Sequence, residues 1–369
     1  MADPRIEKLA DVLVNYSVAV QPGEKVVIQA SSLASPLIKA VYASVLQAGG
    51  HPMTQVSIPG AKELFYRYAS DEQLQFVSDP MKLMVETYDV NIGINATENT
   101  KAMSNIDPAK MVLNNQAQAG IFKTYMERAA AGELRWVGTL FPTNAFAQDA
   151  EMSLTEYEDF VYGACMPDLD DPVGYWQRFS AWQQKIVDWL AGKERVHVVG
   201  PETDLRLNIA GRPFINSDGK RNMPSGEVYT SPVEDSAEGH VYFSYPAIYQ
   251  GREVSGIRMW FENGKVVKAT AAKNEDFLLQ VLDTDEGARY LGEFAIGTNK
   301  GITQFTRQIL FDEKINGSFH LALGRGFPWA GSKNESSIHW DMVCDMRAGG
   351  EIWVDDELLY KDGDFVIEF

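Results

Sequence analysis

The stretch "QPGEKVVIQASSLASPLIKAVYASVLQAGGHPMTQVSI", Gln21 to Ile58, decides the fold of the N-terminal half. Its opening, "QPGEKVVIQAS", reads as a turn followed by a buried strand. "SPLIKAVYASVLQAGG" reads as a helix, with Pro36 near its start, where a missing N–H is harmless, and Gly49 and Gly50 as its stop. "PMTQVSI" supplies a second strand, and a strand, helix and strand in this order form a β-α-β unit with parallel strands. Upstream, Ile6, Leu9, Val12, Leu13 and Tyr16 fall at helical spacing. Downstream the alternation continues through helices over about 61–86, a strand at "VNIGINA", a helix after Asp107 and a strand at "LRWVGTLFP". The expectation is an α/β N-terminal domain with a largely parallel sheet and helices on both of its faces.

The pattern breaks at "DLDDPVGYW". The helix that follows carries Tyr175, Phe179, Trp182, Ile186 and Trp189 at steps of four, three, four and three, a stripe best explained by core packing. It serves as a linker helix that closes a domain over 1–190. From Arg195 the text changes to short strands: "RVHVVGPETDLRLNIAG", "IRMWFENGKVVKATA" with a type I′ turn at Asn263-Gly264, and "EIWVDDELLYKDGDF", interrupted by the helix "NEDFLLQVLD". Residues 191–369 are therefore expected to form an α+β C-terminal domain rich in antiparallel strands, and the catalytic chemistry is expected there.

A length of 369 residues exceeds what one hydrophobic core usually serves, and 45% hydrophobic against 23% charged residues is an ordinary globular balance. The formal charge of −18 sets up a field that repels phosphate backbones, and no Lys/Arg run offsets it, so no nucleic acid is expected as a partner. A cationic ligand, such as the free ammonium of a peptide, would be attracted. Cys165 and Cys344 stand alone, far from any Cys-x-x-Cys pair, as in a reduced cytoplasmic protein. No signal-peptide core and no run of about 18 apolar residues is present, so no membrane association is expected.

In "SIHWDMV" an extended chain would project His339 and Asp341 to one face and turn Trp340 to the other. Alone this His-x-Asp is a weak signal, and a surface pair or a core histidine held by a carboxylate is the more ordinary explanation. His320 in "GSFHLALG" reads as buried, where backbone carbonyls could satisfy its ring. The acids Glu227 in "NMPSGEVYTSP" and Glu293 in "YLGEFAIGTN" sharpen the question, because they sit among glycines and apolar residues. They are harder to explain as a solvated face than "DTDEGAR" is, and buried carboxylates must be paired or bound to a cation. Five N/O donors exceed the three that one catalytic zinc usually takes, but suit two ions that share a carboxylate. Zn, Co and Mn all accept such a set.

Four blocks, "NMPSGEVYTSPVEDSAEG", "LGEFAIGTNKGI", "ILFDEKINGSFHLALG" and "NESSIHWDMV", resemble in order and spacing those of the aminopeptidase T, AmpS and PepS family of metalloaminopeptidases. The opening "LADVLVNYSVAVQPGEKVVIQAS" is similar too, so the resemblance spans nearly the whole chain. It implies an α/β domain, a catalytic domain with two divalent metal ions, a homodimer, and removal of N-terminal amino acids from peptides with a free N-terminus. The ligands it implies are Glu227, Glu293, His320, His339 and Asp341, with Glu293 acting as bridge or general base. Glu313 in "FDEKINGSFH" is matched to a further family acid across a length difference, with a surface glutamate as the bland alternative. At Phe327, in "LGRGFPWAG", the family commonly has a tyrosine. The departure sets a second reading beside the enzyme: a catalytically impaired, metal-binding, peptide-binding or scaffold dimer. Arg325 or Lys333 would be the substitutes for the lost hydroxyl.

Overall fold

The computed structural model describes residues 3–166 and 169–368. Two compact units divide the chain, one running to Trp176 and taking in Gly219–Pro224, the other made of Gln177–Asp218 and Ser225–Phe369. This division falls inside the helix Pro172–Leu190, and a short segment returns to the first unit. The break read at "DLDDPVGYW" begins at Asp168, outside the described residues.

In the first unit the sheet runs in the order His51–Ser57, Lys25–Ser31, Val90–Asn95, Arg135–Leu140, Asn222–Met223, with every pairing parallel. The quoted stretch forms the expected crossover: Lys25–Ser31 buries Val26, Val27 and Ile28, and the helix Ser35–Gln47 connects it to His51–Ser57. That second strand lies at the sheet edge and is exposed along most of its length. The N-terminal helix runs over Pro4–Asp11 and continues as a π-helix over Val12–Ser17, burying Leu9, Val12, Leu13 and Tyr16. Asp107 caps the helix Pro108–Ala130 by accepting from Ala109 N at 2.9 Å.

The second unit is built from two larger antiparallel sheets and a two-stranded ribbon, Ala247–Tyr249 with Arg252–Val254. Eight strands form one sheet, in which Ile257–Glu262 and Lys265–Thr270 make the expected hairpin; Asn263 and Gly264 both have positive φ, as a type I′ turn requires. The other sheet has the order His339–Asp345, Ser318–Gly324, Leu291–Gly297, Glu227–Thr230, Ile215–Ser217. Its Val228, Phe294, Ile296, Phe319, Leu321, Leu323, Trp340 and Met342 share one apolar core with Val198, Leu205, Val241 and Met259 of the eight-stranded sheet. Burial of each such side chain contributes about 1.5–3 kcal/mol, so this sheet is a rigid platform. Its other face carries the polar residues.

Candidate metal centre

The pairing register explains why distant segments converge. Gly297 pairs with Glu227, Ala295 with both Tyr229 and His320, Ala322 with both Glu293 and Asp341, and Gly324 with His339. Directly paired residues point to the same face, so Glu227, Glu293, His320, His339 and Asp341 all project from the side opposite the core. Alanine and glycine fill the intervening places on that face and leave room between the polar side chains. A bulge separates Leu291, paired with Leu323, from Glu293, paired with Ala322. It lets Leu291 join the core although it lies two residues from Glu293. Gly292 sits at the bulge because a Cβ there would come within 2.3 Å of the Arg325 carbonyl.

That carbonyl orients a histidine. His339 Nδ1 donates to Arg325 O at 2.6 Å, and His320 Nδ1 donates to Glu313 O at 2.9 Å, so each ring turns its Nε2 into the cluster. His320 Nε2 lies 3.6 Å from Glu227 Oε2 and 3.6 Å from Glu293 Oε1. His339 Nε2 lies 3.5 Å from Glu293 Oε2 and 3.3 Å from Asp341 Oδ1. Glu293 thus offers one oxygen to each histidine. Glu313 is not a surface residue: its side chain is 14% exposed and groups with His320 and Asp341.

These residues suit a divalent cation on two counts. Tetrahedral ligands at about 2.1 Å from an ion stand roughly 3.4 Å apart, which is the spacing seen between the imidazole nitrogens and the carboxylate oxygens. Glu227 Oε2 and Asp341 Oδ1 are buried and accept no hydrogen bond among the described residues, a costly arrangement for carboxylate oxygens that a cation would relieve. Donors gather in three overlapping groups: Glu227, Glu293 and His320; Glu293, His339 and Asp341; Glu313, His320 and Asp341.

The sequence matches the family described as Thermophilic metalloprotease (M29) over residues 2–365. The chain belongs to that family. Among M29 relatives, Aminopeptidase 2 of Geobacillus stearothermophilus is 26% identical, covering 88% of this chain and 84% of the relative. Aminopeptidase T of Thermus thermophilus is also 26% identical, with 97% and 95% covered. A solved structure titled wild-type AmpT from Thermus thermophilus superposes with a TM-score of 0.86 at 23% identity, covering 99% of both chains, and this likeness establishes the fold.

Two residues of this M29 chain escaped the sequence reading. Lys314 is fully buried, with Nζ 3.9 Å from Glu227 Oε1 and in contact with Glu313. The one available signal was a lysine following two acids in otherwise apolar text, "ILFDEKINGSF". Asp285, read as part of a solvated face, instead accepts from Ser336 Oγ at 2.7 Å, Ser337 Oγ at 2.7 Å and Ser337 N at 2.8 Å. It pins the turn that leads into the His339 strand. The Arg325 and Lys333 side chains are engaged elsewhere or open to solvent: Arg325 Nε donates to Ser336 O, and exposed Lys333 donates its backbone N–H to Glu234. Phe327 stacks on Trp329 at 4.9 Å, stands 5.3 Å from the His339 ring and meets Tyr229 edge-on at 5.6 Å.

Burial raises the Glu227, Glu293 and Glu313 carboxyls. Burial would lower His320 and His339, but Glu293 and Glu227 hold the first up at about 9, and Asp341 holds the second up at about 10. Burial would raise Asp341, yet His339 keeps it at about 2. Raised values mean that the folded chain binds more protons than the unfolded one. The histidine contribution is fully present below the ordinary 6.5 and is lost as pH rises through about 9. Asp341 acts outside that window, present above 3.8 and lost as pH falls toward about 2. The melting temperature of chelated protein should therefore fall between pH 6.5 and about 9, and saturating metal, which displaces these protons, should flatten the slope. Melting curves recorded across this range test it; a rise in the chelated protein would contradict it.

Proposed function

We propose that this M29 chain is a metal-dependent aminopeptidase that releases N-terminal amino acids from peptides. The observation that carries the reading is the convergence, on one sheet face, of Glu227, Glu293, His320, His339 and Asp341 at ligand spacing, joined by Glu313. The names of the relatives point to the same reaction. Divalent Zn, Co or Mn would be held by these residues and would polarise the scissile carbonyl and make water nucleophilic at neutral pH. Counting donors alone, two ions sharing Glu293 are the expected complement.

Within that frame each residue has a task. His339 and His320 present Nε2 because backbone carbonyls fix their Nδ1 protons. Glu293, central to the cluster, would act either as the shared carboxylate or as the base that takes a proton from the attacking water and passes it to the leaving amine. The surrounding acids favour a substrate's free amine. Hydrolysis of an aminoacyl dye should therefore stop on chelation, return with metal, and be absent for the N-acetylated dye, which lacks both the charge and the lone pair. Release of dye from the blocked substrate would contradict the reading.

The chain is further read as a cytoplasmic homodimer. Both cysteines are free and buried, and no helix among the described residues is long and apolar enough to cross a membrane. In the first unit Met53, Val56, Ile58, Leu64, Phe65, Phe76, Leu83, Val112 and Phe122 are exposed, an apolar set that a second copy would cover.

Phe327 supports the second reading, a metal-holding peptide-binding or scaffold dimer with impaired catalysis. Its ring keeps the packing position against Trp329 and His339 without a hydroxyl. Phe327→Tyr is expected to raise kcat from a few-fold to about a hundredfold with unchanged metal content, since one oxyanion donor contributes up to ~3 kcal/mol in the transition state alone. A variant no faster than a brisk wild type would show that Phe327 is not a missing donor and remove that reading's support.

A further inference from the structure

The ligand count that favours two ions leaves out Lys314. Its side chain is entirely buried, its ammonium contacts Glu313, and it stands 3.9 Å from Glu227 Oε1. The position is built rather than incidental. Lys314 N donates to Phe311 O at 2.9 Å, and Asn299 N donates to Lys314 O at 3.0 Å, which fixes the backbone on both sides. The strand Leu291–Gly297 accepts this segment closely because Gly297, the pairing partner of Glu227, has no Cβ; one would fall 2.2 Å from Ile315 O and 3.0 Å from the Lys314 carbonyl carbon.

We propose that the Lys314 ammonium is the second positive centre of this cluster, so that the chain holds one divalent ion, at Glu293, His339 and Asp341. The inference rests on the metal-dependent reading above and changes its ion count. Two arguments carry it. An ion at Glu227 Oε2 or at Glu313 would share its carboxylate with the ammonium, which stands 3.9 Å from the other Glu227 oxygen and contacts Glu313, and a dication and an ammonium on one carboxylate repel where water is excluded. The charges also differ in outcome. Glu227, Glu293, Glu313 and Asp341 bring four negative charges; two dications alone would match them, whereas two dications with Lys314 would leave an excess positive charge. Of the three donor groups, Glu293 with His339 and Asp341 is the one that includes neither carboxylate paired with Lys314.

Full-length protein, chelated and then equilibrated with Mn2+ or Zn2+, should retain one tightly bound equivalent per chain by elemental analysis. Its Mn2+ form should give an uncoupled paramagnetic resonance signal. Lys314→Met should retain two equivalents and an exchange-coupled Mn2+ signal, while Lys314→Arg should stay at one. Two equivalents or a coupled pair in the wild type would overturn the inference and leave the metalloenzyme reading standing. One equivalent in a folded Lys314→Met would equally overturn it. No bound metal in the wild type would overturn the underlying reading as well. The wild-type stoichiometry and spectrum decide the matter even if Lys314→Met does not fold.

Discussion

Asp341→Ala is expected to lose the bound metal and at least a thousandfold in kcat/KM, roughly 4 kcal/mol of transition-state stabilisation. Asp341 Oδ1 lies 3.3 Å from His339 Nε2 and accepts no hydrogen bond among the described residues, an arrangement that a facing cation would relieve. Alanine removes that oxygen and also the negative charge that His339 depends on. The fold should survive, since Asp341 stands on the face away from the core, between Trp340 and Met342, which carry the packing. Elemental analysis and steady-state kinetics on the same preparation check it. A variant that kept its metal and its rate would take Asp341 out of the site.

Glu293→Gln should separate holding from proton transfer. Glutamine preserves the shape and one ligand oxygen toward His339, and its amide can donate toward His320, whose Nε2 is 3.6 Å from the carboxylate. What it loses is a proton-accepting oxygen. The expected result is retained metal with kcat lowered by about a thousandfold, within the ~10²–10⁴ range of general-base catalysis. Loss of metal as well as rate would make Glu293 a ligand alone. Retention of both would exclude it from the chemistry.

How far the sequence reveals this architecture depends on which forces set each part. The β-α-β stretch from Gln21 to Ile58 was legible because its signals are local: a buried strand, a helix with proline at its start and glycines at its stop. The Asn263-Gly264 turn was legible for the same reason, since only certain residues tolerate positive φ at both places. His339 and Asp341 announced a shared face through strand alternation. Their meeting with Glu227, Glu293 and His320 is a matter of register between strands far apart in sequence, and there the family resemblance supplied what periodicity could not.

Other features follow from long-range contacts with no local signature. The Glu293 bulge is one, set by Gly292 packing under the Arg325 carbonyl. Lys314 is another. An isolated lysine is ordinarily a solvated residue, and its burial becomes intelligible once Glu227 and Glu313 are seen around it. Asp285 looked solvated among its charged neighbours, and its partners Ser336 and Ser337 lie some fifty residues away.

The central claim is that this cluster removes residues one at a time from a free N-terminus. A peptide of defined sequence, incubated with metal-loaded protein and followed by mass spectrometry, tests it most directly. The account predicts a ladder in which each product is shorter by the next N-terminal residue, absent after chelation. Fragments from internal bonds, or an intact peptide in the presence of bound metal, would contradict it.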